Sequence, residues 1–288
     1  MGTTQAGGGA TVRRLLLGTQ LRKLREARGV SREEAGYSIR ASESKISRME
    51  LGRVGFKERD VADLLTLYGV EAEHERATVL GLVRAANTTS WWHEYGDILP
   101  AWFQNYVGLE EAVAEIHSYE VQFVHGLLQT ADYARAVITA GGHVTGAEEI
   151  ERRVELRLKR QSLLTCDHAP RLVAVLDEAA LRRPWGGPEL MSTQIDRLLD
   201  LAELPNVHLQ VMPFGAAGLS AEVGAFTLLG FAEPDLADVV YLEQFTTALY
   251  LDKPAEVAEY RHAMTNLLTD SLTPEASRDL LHTVRKEL

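Results

Sequence analysis

The spacing of apolar positions divides this chain of 288 residues into a helical front and a mixed remainder. Between Leu15 and Arg28, Leu17, Leu21, Leu24 and Ala27 recur at helical spacing, with Arg22, Lys23 and Arg25 set between them. Gly29 stops that helix. Ser31 then offers an N-cap, and Glu34 three residues later completes a capping box, so the pattern predicts a helix over Arg32–Ile39. A short turn at Arg40 and Ala41 leads to a second N-cap, Ser42. From there a third helix runs to Leu51 and is closed by Gly52. Amphipathic patterns over Arg59–Tyr68 and Ala72–Ala86 predict two more helices.

Past Asn87-Thr88-Thr89-Ser90 the pattern changes. Trp91, Trp92, Tyr95, Trp102, Phe103 and Tyr106 crowd one short stretch, and helical patterns follow over Gly108–Tyr119, Thr130–Ala140 and Ala147–Leu164. Strand-like runs then begin at Arg171 (RLVAVLDE), Val207 (VHLQVMPF), Gly224 (GAFTLLGF) and Asp238 (DVVYLE), with an amphipathic helix over Glu189–Glu203 between the first two. That order predicts one βαβ crossover followed by a hairpin, hence a small mixed sheet. Two closing helices, Pro254–Thr269 and Pro274–Glu287, start on prolines suited to a first turn. The expected fold is mostly α, α+β overall.

Two short helices joined by a tight turn, Arg32–Ile39 and Ser42–Leu51, form a helix-turn-helix candidate. Such a unit lays its second helix in a major groove, so that helix must be apolar on one side and polar on the other. It is: Ile46 and Met49 point one way, while Glu43, Ser44, Lys45, Ser47 and Arg48 form the complementary face. Arg and Lys can donate to guanine, Glu can accept from cytosine, and Ser can do either. Arg25, Arg32, Arg53 and Lys57 flank this face and are expected to contact phosphates. An acid on the buried side, Glu50, is expected to be an internal hydrogen-bond partner.

Charge sharpens this reading. The chain carries a net charge of −11, yet Thr11–Lys57 holds 12 Lys/Arg against 5 Asp/Glu, while Trp91–Leu288 holds 15 against 30. A basic head on an acidic body fits a molecule of which one part meets a polyanion. Three segments are therefore expected: a flexible tail over 1–12, a five-helix helix-turn-helix domain over 13–88, and a helical domain with a small mixed sheet over 89–288.

The stretch Val30–Arg53, VSREEAGYSIRASESKISRMELGR, resembles the Cro/phage-repressor (XRE-family) helix-turn-helix, most specifically in its closing S-K-I-S-R-x-E-x-G-R. The resemblance implies base-reading places at Glu43, Ser44 and Arg48, phosphate places at Arg32 and Arg53, and structural places at Ile46 and Glu50. The sequence departs from that family in the turn, where Arg40 stands in place of the usual glycine. A left-handed backbone there costs a non-glycine residue about 1 kcal/mol or more. The segments WWHEYGDILPAWFQNYVGLEEAVAEIHSYE, VHGLLQTADYARAVI, VHLQVMPFG and DVVYLE are similar to actinobacterial regulators of the WhiJ-like group. This implies a transcription factor, linked to development or secondary metabolism, whose C-terminal domain has no assigned biochemical function. It also implies a small partner protein encoded nearby, in some pairs an antitoxin-like arrangement with autoregulatory DNA binding.

Candidate chemistry in the body is sparse. The nine histidines are scattered without metal-ligand spacing, and Gly215–Gly224 contains neither a P-loop nor a nucleophile elbow. Asp177-Glu178 with Arg182-Arg183 reads as a solvated ion-pair cluster, and Cys166, the single cysteine, lacks an activating neighbourhood. No catalytic residue, metal or cofactor is expected, although an enzyme tethered to DNA is the reading from another class. The aromatic stretch Trp91, Trp92, Tyr95, Trp102, Phe103 and Tyr106 is either core or the lining of a ligand or partner pocket. With no apolar run long enough for a membrane span and no signal peptide, a cytoplasmic, nucleoid-associated homodimer on a double-stranded operator is expected.

Overall fold

Five helices occupy the front of the chain: α1 (Ala10–Ala27), α2 (Arg32–Ser38), α3 (Glu43–Glu50), α4 (Glu58–Leu67) and α5 (Glu73–Ala86). The structure, a computed structural model, describes residues 10–87, 90–142, 146–216, 224–232 and 237–288, with the backbone alone at 10–13, 85 and 101. Of the expected tail, residues 1–9 lie outside the described residues. Residues 10–12, expected as tail, are instead the first turn of α1, which starts five residues before the Leu15 predicted from the apolar spacing.

Local chemistry sets the ends of these helices. Ser31 Oγ accepts the Glu34 N–H at 3.1 Å and the Glu34 carboxylate accepts the Ser31 N–H at 2.8 Å, the reciprocal bonds of a capping box. Ser42 caps α3 by accepting from the Lys45 N–H at 3.2 Å. Their inward faces meet in one core of Leu17, Leu21, Ala35, Ile46, Met49, Phe56, Val61, Leu64, Leu65, Val79 and Val83. Gly18 lets α1 cross α3 closely, since a methyl group there would stand 2.5 Å from the Met49 carbonyl oxygen. Gly36 does the same where α2 meets the turn, 2.8 Å from the Ala41 carbonyl oxygen.

The chain divides into two compact units. The first holds these helices through His93, together with Asn105–Ala112 and Ala232; the second holds Glu94–Gln104, Val113–Phe231 and Ala237–Leu288. They are called the head unit and the body unit below.

The body unit is built on a six-stranded mixed sheet of order β3-β2-β1-β4-β5-β6. Its strands are β1 (Glu115–Glu120), β2 (Arg171–Asp177), β3 (Val207–Met212), β4 (Phe226–Gly230), β5 (Val239–Glu243) and β6 (Ala248–Leu251). Strands β1, β2 and β3 are parallel, and β4, β5 and β6 add antiparallel on the other side of β1. The predicted crossover is β2–α10–β3, with α10 at Pro188–Leu201, and the predicted hairpin is β4–β5. A second crossover, from β1 to β2, runs through α7 (Ala131–Ala140) and α8 (Ala147–Gln161). Tyr119, Val175, Met212, Phe226, Leu228 and Val240 form one face of the sheet, covered by Val257, Met264 and Leu267 of α11 (Pro254–Asp270). A closing helix, α12, spans Pro274–Glu287.

Two elements differ from expectation. The helix predicted over Gly108–Tyr119 is the end of α6 (Ala101–Glu110) followed by β1. The segment Glu115–Glu120 is the central strand, held from both sides by β2 and β4, and tertiary pairing overrides its weak local periodicity. The edge strand β6 was absent from the predicted set because four residues, Ala-Leu-Tyr-Leu, give too short a pattern to read.

Candidate nucleic-acid interface

Helix α3 is amphipathic in the sense required of a groove-reading helix. Ile46, Met49 and Glu50 are buried, whereas Glu43, Ser44 and Arg48 are exposed and Ser47 is half-buried. The Arg48 Nε donates to the Ser44 carbonyl at 3.3 Å, which lays the guanidinium along the exposed side of the helix. Arg53 and Lys57 are exposed on the segment that follows, Lys57 at the N-cap position of α4.

The inward side is fixed by charge as well as packing. Glu50 is 5 % exposed and accepts the Arg25 Nε–H at 2.5 Å, the Arg25 Nη2–H at 3.2 Å and the Arg32 Nε–H at 3.0 Å. The Arg25 Nη1 donates to the Val30 carbonyl at 2.9 Å. One carboxylate thus ties α1, α2 and α3 together, and its hydrogen bond holds the Arg25 guanidinium above its ordinary pKa. Glu50 is the internal partner expected of it.

Two of the residues expected at DNA have their cationic groups engaged within the head unit. Arg25 is 7 % exposed and donates to Glu50 and to the Val30 carbonyl, which ties it into the fold. Lys45, expected to read bases, donates its ammonium to Asp60 of α4 at 2.7 Å and so braces α3 from its half-buried side. Arg32 divides its guanidinium, with Nε on Glu50 and the side chain still partly in solvent.

Two residues that the sequence reading did not select join the exposed set. Tyr37 on α2 is 88 % exposed. Its signal was an aromatic ring out of phase with Ala35 and Ile39. Arg40 is exposed in the turn with φ +54°, the only left-handed non-glycine among the described residues. Its N–H donates to the Tyr37 carbonyl at 3.1 Å and the Ala41 N–H to the Gly36 carbonyl at 2.8 Å. These bonds make a Schellman cap in which arginine takes the position favoured by glycine.

In the body unit the picture is structural. Asp177 caps the short helix α9 (Glu178–Arg182) by accepting the Ala179 N–H at 2.8 Å. The expected solvated cluster is corrected at Glu178, which is buried and accepts both the Arg182 Nε–H at 2.5 Å and the Phe214 N–H at 2.9 Å. Cys166 is exposed, and residues 217–223 of the glycine-rich segment lie outside the described residues. Among the described residues no group of His, Cys, Asp and Glu could hold a metal ion, and no helix is long and apolar enough to cross a membrane.

Of the two readings of the six aromatics, burial fits core for three of them. Trp92, Tyr95 and Tyr106 are buried as packing, and the six divide between the units: Trp91, Trp92 and Tyr106 in the head unit, Tyr95, Trp102 and Phe103 in the body unit. A shallow cavity of about 720 Å³ opens beside α7 and α10, against Ala136, Ala140, Trp185, Glu189 and Leu190.

A capped, charge-braced helix pair with an exposed polar face on α3 defines a helix-turn-helix DNA-binding protein, and residues 16–79 match the family described as a helix-turn-helix domain. Residues 103–283 match a second family, a domain of unknown function (DUF5753), and the chain belongs to that family. No curated protein and no solved structure matches the chain.

Proposed function

We propose that this chain is a sequence-specific transcription regulator of the XRE type, acting on the chromosome in the cytoplasm as a pair of copies on two half-sites. The observation that carries this reading is the division of α3 into a buried face of Ile46, Met49 and Glu50 and an exposed face of Glu43, Ser44 and Arg48. Arg48, with its planar donor fork, reads a base edge; Arg53 and Lys57 hold phosphates, joined by Arg32 through its exposed guanidinium edge. The body unit serves dimerisation and the sensing of an effector or partner, for which the cavity beside α7 and α10 is the available recess.

The test is selection of duplexes from a random pool by the full chain, followed by affinity against salt. The expected result is a preferred palindrome, with affinity falling steeply as salt rises because bound cations displace condensed counterions. Binding that ignores salt, or selection that returns no preferred sequence, would falsify the assignment of α3.

A further inference from the structure

Lys45, Arg48 and Arg53 stand on or just after α3, and they are not held alike. Arg48 and Arg53 are exposed, and the Arg48 Nε bonds along its own helix to the Ser44 carbonyl. Lys45 is tied to another element. Its ammonium donates to the Asp60 carboxylate of α4 at 2.7 Å, and the side chains of the pair are 32 % and 16 % exposed.

The place of Lys45 on α3 gives this pairing a consequence. At about 100° per residue, it lies about 60° round the helix from Arg48 and about 40° from Met49. It therefore sits where the exposed polar face meets the buried one, a neighbour of Arg48 at three residues' spacing. Its flexible four-carbon stem lets the ammonium swing to either side. Asp60 decides the side. That carboxylate is in the first turn of α4, whose free N–H groups favour an anion, and it is more buried than the lysine it holds. The acid is the fixed member of the pair and the ammonium the movable one.

We infer that Asp60 is a positioning residue that withholds the Lys45 ammonium from DNA, and so limits the affinity of the head unit for duplexes of any sequence. The inference rests on the placing of α3 in the groove proposed above. With the ammonium on Asp60, the pair brings no net cation to the phosphates. Freed, the ammonium adds one phosphate contact beside Arg48. Such a contact carries no sequence information and strengthens every duplex alike. A pair sheltered on the side of its acid is also screened less by salt than one between exposed groups, so the hold persists where duplexes bind.

Affinity of the full chain for a short duplex, measured against salt, tests this in a double-mutant cycle. Asp60→Asn keeps the shape of the acid and removes its charge. It should steepen the salt slope by about one per bound copy, so that between about 50 and about 200 mM salt the variant loses roughly fourfold more affinity than the parent. Adding Lys45→Met to Asp60→Asn should return the slope to that of the parent, because the released cation is gone. Lys45→Met alone should leave the preference among single-base variants of the site unchanged. A thermal melt checks the fold of each variant, and Asp60→Ser takes the place of Asp60→Asn if that chain misfolds. A slope unmoved by the change at Asp60 overturns the inference. So does a gain that survives in the double variant, since it then comes from removing an acid near the phosphates and not from Lys45. Lost preference at particular base pairs with Lys45→Met overturns it as well, because the ammonium then reads the groove from its place on Asp60. A parent chain that binds no duplex in a salt-sensitive way removes the placing of α3 and the inference together; a parent that does, with variants that match it, removes only the role of Asp60.

Discussion

The head and body units use charge in opposite ways. Within Thr11–Lys57 of the head unit, acids are outnumbered 5 to 12 by Lys and Arg, and one of them, Glu50, is buried between Arg25 and Arg32. In the body unit, acids are in excess and, Glu178 with Arg182 apart, ion pairs such as Arg135 between Asp132 and Glu151 or Arg152 on Asp97 lie at the surface. Exposed pairs of that kind contribute little to stability, whereas a desolvated pair cannot lose one partner cheaply. Part of the local excess of cations is engaged within the head unit: Arg25 bonds to Glu50 and Lys45 to Asp60. On the proposed reading, salt should weaken duplex binding through the head unit and change the stability of the body unit little.

The largest effect that would break this contrast is expected at Glu50. Glu50→Ala leaves the buried Arg25 guanidinium without its counter-charge and should cost the head unit about 3–5 kcal/mol. Arg135→Ala, at a surface network, should cost less than about 1 kcal/mol. Thermal unfolding followed in the full chain checks both; equal losses would mean that burial of the Glu50 cluster does not matter.

A smaller effect separates readers from anchors within the head unit. Arg48→Ala should reduce affinity by about 1–3 kcal/mol on the preferred site and relax preference at particular base pairs. Arg53→Ala and Lys57→Ala should weaken all duplexes alike and lower the salt slope by about one per contact per copy. A uniform loss with Arg48→Ala, measured across a panel of single-base variants of the site, would remove it from the reading face.

The body unit offers a matching probe in pH. Burial, and then repulsion from Glu243, raise the Glu120 carboxyl to about 8, against the opposing pull of Arg157. In the unfolded chain the same group ionises near its ordinary 4.5, so between these values the folded state holds a proton that the unfolded state has released. The contribution of Glu120 to the stability of the body unit thus falls as pH rises from about 4.5 to about 8 and levels off above it. Glu120 keeps partial solvent contact, which limits the effect to about 2 kcal/mol. Glu120→Gln should flatten the decline and raise stability at pH 8 and above; a pH profile identical to the parent's would exclude Glu120 as its source.

What was legible in the sequence follows the same division. In the head unit the determinants are local: Ser31 with Glu34, Ser42, and the phase of Ile46 against Arg48 lie within a turn or two of what they specify, so the helices and the exposed face of α3 could be drawn directly. The fates of Arg25 and Lys45 depend on partners 25 and 15 residues away and could not. In the body unit, β2 to β5 announced themselves as apolar runs, while β1 carries Glu-Ile-His-Ser-Tyr-Glu and becomes a strand only because β2 and β4 pair with it. For the aromatic stretch, composition gives the rings but not which unit each one enters.

The smallest effect concerns the one residue at which local rules and the fold disagree. Arg40 holds φ +54° in the cap between α2 and α3, a conformation that costs an L-residue about 1–2 kcal/mol and glycine almost nothing. Glycine would return part of that gain through its larger unfolded-state entropy, so Arg40→Gly should stabilise the head unit by about 0.5–1 kcal/mol. The residue is also exposed and cationic, beside the N-terminus of α3, and we propose that it contacts a DNA phosphate. The same substitution should therefore weaken all duplexes by roughly one phosphate contact per copy while raising the melting temperature by a few degrees. Stability and affinity moving in opposite directions mark Arg40 as a DNA contact held at a cost to the turn. If the variant melts higher and binds as the parent does, the strain serves nothing at the interface, and Arg40 belongs with Arg25 and Lys45 among the cations that the charge pattern alone misassigns.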